Sequence, residues 1–178
     1  MPGRASPESP VRVWLGAGGP VAPGSPVRVY AQTVADGYVV VLHRRPDGVV
    51  EGLFPGDPAS DPFSSAGSYE IQGPRGAAAL TAPGHGSGVV LAAMSPDPFR
   101  FAEFVRGGAW DGDALRASWA GADALGSLTD IVQRMLGDGS FNYDLVTYTV
   151  AAPATYAVED TTTAGAALPA ACVVVCDA

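Results

Sequence analysis

The stretch DGYVVVLHRRPDGVVEGLFP, Asp36 to Pro55, decides the fold class. Two apolar runs, YVVVLH and VVEGLF, are rich in β-branched and aromatic residues and flank the polar segment Arg44–Gly48. An Asp-Gly pair between such runs is the composition of a tight hairpin turn. A second pair, Asp36-Gly37, turns the chain into the first run and gives a further hairpin signal. Both glycines suit turn positions with φ > 0. The hairpin ends in LFPGDPASDPF, Leu53 to Phe63, where Pro55 stops the strand because it cannot donate to a ladder.

Outward from the hairpin, further short strands follow. VRVWL (11–15) alternates. VRVYAQTV (27–34) puts Val27, Val29, Ala31 and Thr33 on one face and Arg28, Tyr30 and Gln32 on the other. SYEIQG (68–73) is another strand, and the continuous apolar run GVVLAAM (88–94) suits a central one. The pattern then changes to helix. PFRFAEFVRG (98–107) reads as a short helix. Asp113 opens a longer helical stretch that Gly121 and Gly126 divide, with Ser127 as N-cap of the second half and Asp130 completing a capping box. Leu128, Ile131, Val132, Met135 and Leu136 share a face, and Gly137 ends the helix. YDLVTYTV (143–150) returns to strand, ATYAVEDTTTAG is a hairpin or loop, and AACVVVC closes the chain as strand. The expected fold is mainly β: an antiparallel, immunoglobulin-like β-sandwich with a helical insertion over about 98–137 and C-terminal strands returning to the sheets. Residues 1–9 read as a flexible tail and 10–178 as one domain.

Composition bounds the function. Twenty-three glycines and 16 prolines without a strict period punctuate many short strands. The formal charge is −8, with ten scattered arginines and no lysine, so the basic footprint of a nucleic-acid binder is missing. Without lysine there is no Schiff base, no lysine general base and no lysine-bearing phosphate loop. The arginine, alanine and glycine bias suggests a GC-rich bacterial source. The N-terminal residues carry no apolar segment of a signal peptide, and no apolar run is long enough to span a bilayer.

The two cysteines, Cys172 and Cys176, lie four apart. On a strand their Cα atoms stand ~13 Å apart, beyond the ~7 Å limit for a disulfide. They read as buried thiols on one strand face, with an intermolecular disulfide as the alternative and metal binding a weaker one.

The segment GPVAPGSPVRVYAQTVADGYVVVLHRRPDGVVEGLFPGD resembles a bacterial domain-of-unknown-function family, DUF 4384. The residues that carry the resemblance are Gly24-Ser25, Val27, Val29, Asp36, Gly37, Tyr38, Asp47, Gly48, Leu53, Phe54 and Pro55. Gly73-Pro74-Arg75-Gly76 and Ala92-Ala93-Met94-Ser95-Pro96 extend it, so that it covers roughly Val11 to Phe99. Ser25 departs from the family pattern, which has an acidic residue there. The resemblance implies a β-sandwich accessory domain of bacterial envelope, secreted or signalling proteins, and it brings no catalytic residues.

Candidate chemistry is sparse. GHGSG (84–88) places serine off-centre for a nucleophile elbow and leads into a strand rather than a helix. His43 reads as a hairpin-end histidine, solvated or bonded within its own turn, with Asp47 as a candidate acceptor. Asp57 and Asp61 on the loop, with Asp97 from the second Asp-Pro-Phe, are candidate calcium ligands, since three loop carboxylates suit an ion that takes six to eight oxygens. Asp-Pro is also a plain turn initiator. The function expected is non-enzymatic: a module of the cell envelope or extracellular space acting by self-assembly or protein binding, such as a surface-layer or filament subunit. The alternatives are a small-ligand or Ca-binding domain on the aspartate loops and a regulatory module of a bacterial signalling protein. No other cofactor and no nucleic acid is expected; the partner is protein, other copies of the chain included.

Overall fold

The computed structural model describes residues 9–82, 84–117 and 123–152. In chain order the strands are β1 (Val11–Leu15), β2 (Pro26–Val27), β3 (Val29–Thr33), β4 (Gly37–Arg44), β5 (Val50–Phe54), β6 (Phe63–Ser64), β7 (Gly67–Ile71), β8 (Leu80–Thr81), β9 (Gly86–Ser95), β10 (Val105–Arg106), β11 (Ala109–Trp110) and β12 (Asn142–Val150). Two helices, α1 (Gly112–Ala117) and α2 (Ala124–Leu136), lie between β11 and β12. The strand expected at 171–176 with Cys172 and Cys176, the loop at 154–165, Trp119 and most of the N-terminal tail lie outside the described residues.

The chain forms an antiparallel β-sandwich. One sheet has the order β1-β3-β7; the other runs β12-β9-β4-β5, with β6 also on β4. Alternation decides what each face meets. Val39 and Val41 of β4, Val90 and Ala92 of β9, and Tyr148 and Val150 of β12 face the first sheet, where they bury Val11, Val29 and Ala31. Val40, Leu42, Leu91 and Ala93 point the other way, into a second core with Phe104, Leu115, Leu128, Ile131 and Met135 of the helical insertion. The larger sheet is thus apolar on both faces, which is why β4 and β9 read as continuous runs rather than clean alternations. Each buried Val, Leu or Phe contributes roughly 1.5–3 kcal/mol. β9 is central, paired with β12 on one side and β4 on the other.

Several local readings are corrected. Asp47-Gly48 is a hairpin turn with Gly48 at φ 86°, but Asp36-Gly37 is not. It is a corner between sheets, since β3 and β4 do not pair. Gly37 has no positive φ; it is needed because a Cβ there would sit 2.7 Å from Met94 Cε and 3.0 Å from the Ser95 carbonyl oxygen. Residues 98–107 hold only a 3₁₀ turn, Ala102–Phe104, and β10, because Phe99, Phe101 and Phe104 anchor on the sheet at non-helical spacing. α1 is opened by Asp111, whose Oδ1 accepts from the Asp113 and Ala114 N–H groups. α2 begins one turn earlier than read: Asp123 is its N-cap and accepts from the Leu125 and Gly126 N–H groups. Ser127 lies inside the helix and donates its hydroxyl to the Asp123 carbonyl. Among the described residues no helix is long and apolar enough to cross a membrane.

Candidate functional site

The pleat of β4 sends Val39, Val41 and then His43 toward the space between the sheets, so His43 ends up buried, 1% exposed. This corrects the solvated hairpin-end reading. Its partners come from strands on both sides. Glu51 stands directly across the β4–β5 hairpin in the register set by the Asp47-Gly48 turn, and its Oε2 lies 3.2 Å from His43 Nδ1. Tyr148 belongs to β12, on the far side of β9, and its Oη lies 2.7 Å from His43 Nε2. Gly88 of β9 makes the reach feasible: a Cβ there would fall 2.3 Å from Tyr148 Cζ, so the phenol ring crosses β9 over bare backbone.

The carboxylate can only accept, so Nδ1 carries a proton toward Glu51. In the neutral ring Nε2 then accepts, and the Tyr148 hydroxyl donates to it. Arg45 completes the cluster, 3.4 Å from Glu51 and 2.9 Å from Asp47. The His43 bond holds the Glu51 carboxyl below its ordinary value; burial opposes this and the Arg45 charge adds to it. Burial pushes the Tyr148 phenol up to about 12, with the Glu51 and Asp47 carboxylates adding to the rise and Arg45 opposing it. Carboxylate, imidazole and hydroxyl stand in the order of a proton relay. A relay needs an activated terminal oxygen that meets substrate. Tyr148 is 4% exposed, its hydroxyl is bonded to the ring, and its phenol is shifted away from ionisation. The arrangement therefore ties β5, β4 and β12 together across the sheet.

The second histidine, His85, is exposed at the same end and borders a 360 Å³ cleft with Arg45, Pro46, Asp47 and Gly84. Ser87 of the GHGSG stretch is a residue of β9 opposite Thr149, so the stretch is a strand entry.

The three aspartates named as metal ligands are occupied by local turns or set elsewhere. Asp57 Oδ1 accepts from the Ala59 N–H at 2.8 Å, and Asp61 Oδ1 accepts from the Phe63 N–H at 3.0 Å. These Asx-type turns carry the chain from β5 to β6. Asp97 lies beyond β9, donates its N–H to Ser95 Oγ and borders a 330 Å³ cleft with Arg100 and Gly137–Gly139. Among the described residues no three His, Cys, Asp or Glu side chains are grouped to hold a metal ion, so Asp57, Asp61 and Asp97 do not form such a group.

The outer face of β1-β3-β7 carries features that sequence reading left unassembled. Trp14 and Tyr30, opposite each other in register, stack with ring centroids 5.7 Å apart and planes 14° apart. Trp14 is 39% exposed. Arg28 pairs with Glu70 of β7 across the same face, and Arg12 and Gln32 form the next row. Strand alternation alone would have placed Trp14 and Tyr30 outward; their pairing needed the β1–β3 register. No family model matches the chain, and neither a curated protein nor a solved structure does.

Proposed function

We propose that this chain is a non-catalytic β-sandwich module that acts by binding protein, its own copies first among the partners, in the bacterial envelope or outside the cell. The observation that carries the reading is the contrast between the two sheets. The larger sheet is buried on both faces by β1-β3-β7 and by the helices. The smaller one turns outward a face with a stacked Trp14–Tyr30 pair and exposed arginines, with no described element packed over it. Exposed Trp, Tyr and Arg are the side chains enriched where proteins meet. The envelope or secreted setting rests on the DUF 4384 resemblance read from the sequence of residues 11–99, which no family model matches. The buried, bonded state of His43 and Tyr148 favours a structural use of the one relay-like cluster described above.

Sedimentation equilibrium from micromolar to near-millimolar protein tests the reading. A mass that rises with concentration, and that falls back when Trp14 is changed to Asp, is the expected result. A constant monomer mass removes self-association and leaves only a foreign protein as partner.

A further inference from the structure

Hydrogen-bond alternation fixes which backbone groups of the smaller sheet are taken. The Val13 N–H leaves β1 on the side away from β3 and meets Asp144 Oδ2 at 2.9 Å, while the Gly16 N–H donates to the Arg28 carbonyl and the Val34 N–H to the Pro10 carbonyl. Arg28, Tyr30 and Gln32 therefore bond toward β1, and Val29, Ala31 and Thr33 bond toward β7, onto Ile71, Tyr69 and Gly67. Ser68 and Glu70 are left with N–H and C=O groups directed away from the sheet, and no described residue bonds to these backbone groups. The bridge from Gln72 to Ala78 does not fill this side. It is made by the Gly73 N–H on the Ala77 carbonyl, and Gly73 shares the β3-facing alternation of Tyr69 and Ile71. β7 has no proline, bulge or lysine to guard the edge. The sandwich is also short of a strand here. β1 lies against β12 and β9, so the three strands of the smaller sheet end before they reach β5, the fourth strand of the larger one. Leu53 of β5 nonetheless belongs to the core between the sheets.

We infer that the chain's own run ACVVVC, residues 171–176, adds to this edge antiparallel to β7, as the fourth strand of the smaller sheet opposite β5. The sequence singles it out. Outside the described residues it is the run with three consecutive β-branched residues and neither proline, glycine nor charge. Residues 1–8 carry two prolines, and 153–170 carry two prolines, a glycine and the Glu159-Asp160 pair. The connection fits as well. β12 runs in the same direction as β1 and β7, since Val13 meets Asp144 and Val21 meets Val150, so it leaves the sandwich at the end where β7 finishes. Eighteen residues, 153–170, then lead to the run. A chain of that length spans roughly 25 Å, about what is needed to pass from one sheet to the far edge of the other and turn back along it. A segment tethered at a distance matched to its linker meets the edge at an effective concentration in the millimolar range. It therefore fills the edge ahead of a second copy at any lower protein concentration. The inference does not rest on self-association, which uses the Trp14–Tyr30 face.

Amide hydrogen exchange of the full chain reads the edge directly, because the Ser68 and Glu70 N–H groups are protected only if something pairs with them. The expected result is protection of both amides to the same degree from micromolar to near-millimolar protein. Val173→Pro and Val174→Pro break the ladder of the added run from its two alternating sides. They should return Ser68 and Glu70 to the exchange rate of an unstructured chain, while Val90 and Leu91 of the central strand β9 stay protected and show that the variants are folded. Ser68 and Glu70 amides that exchange freely in the unaltered chain overturn the inference and leave the edge open. Protection that appears only at high concentration overturns it in favour of a second copy. Protection that survives both prolines overturns it in favour of another segment of the chain.

Discussion

Tyr148 reaches His43 across an intervening strand: the two residues are 105 apart in sequence, sit on strands that do not pair, and hold Oη 2.7 Å from Nε2. The contact depends on the missing side chain of Gly88, since the ring occupies the space a Cβ would need. Gly88→Ala should therefore force the ring off β9, costing about 2–3 kcal/mol through overpacking and the loss of a buried bond to His43. Urea unfolding measures it. Gly18→Ala, at a position where an added Cβ meets nothing within 4 Å, is the control and should change stability by less than about 0.5 kcal/mol. Equal effects at both sites would show that the ring does not need the glycine.

The same cluster sets the pH limits of stability. Glu51 is held below its ordinary value in the fold, so its contribution is fully present above that value and is lost as pH falls through the folded one. Tyr148 is raised to about 12, so its contribution is present below the ordinary phenol value of 10 and disappears as pH rises from there through 12. Thermal melting against pH should show an acid limb that Glu51→Gln flattens and an alkaline limb that Tyr148→Phe flattens. Tyr148→Phe should leave the acid limb in place, while Glu51→Gln should also shrink the alkaline limb, because the Glu51 charge helps to raise the phenol. A Tyr148→Phe curve that parallels the unaltered chain above pH 10 would show that another group governs the alkaline side.

How much of this was legible depends on how local each relationship is. The β4–β5 hairpin followed from Asp47-Gly48 and its flanking valines, but the reading took Asp47 as the acceptor for His43, where the register sets Glu51 opposite it. The buried face of Val27, Val29, Ala31 and Thr33 followed from alternation. Asp36-Gly37 carries the same local signal as Asp47-Gly48, yet it is a corner, because β3 finds its partners in β1 and β7 while β4 finds β9. No local rule separates the two cases. Tyr148 was legible as a strand residue but not as a partner of His43, since that pairing is made by the order β12-β9-β4. The Asp57 and Asp61 side chains were legible as turn formers, and that is where the structure puts them.

The start of α2 turns on two residues that are both good caps. Gly126 looked like a helix break that left Ser127 to open the next helix. In the fold Gly126 is the position whose N–H meets Asp123 Oδ2. An added Cβ would lie 3.3 Å from that oxygen. Asp123→Ala should cost about 1 kcal/mol, the usual worth of an N-cap. Ser127→Ala, which removes only a bond back to the Asp123 carbonyl, should cost less. Chemical denaturation of the two variants decides between the assignments; a larger loss at Ser127 would restore it as the cap.

Trp110 joins the helical insertion to the open end of the larger sheet, and Gly52 is what admits it. An alanine Cβ at 52 would fall 2.5 Å from Trp110 Cε2, inside the indole. The ring is fixed on its other sides by the bond from Nε1 to the Pro55 carbonyl at 2.8 Å and by edge-to-face packing on Phe101, with centroids 4.9 Å apart. Moving it therefore loosens the β5 exit and the phenylalanine layer beneath the helices together. Gly52→Ala should destabilise by about 1–3 kcal/mol and alter the near-ultraviolet aromatic circular dichroism while the far-ultraviolet spectrum stays β-rich. Gly56→Ala, four residues on and free of contacts within 4 Å, should alter neither stability nor spectrum. If Gly52→Ala leaves the aromatic signal unchanged, Trp110 does not lean on β5 in solution.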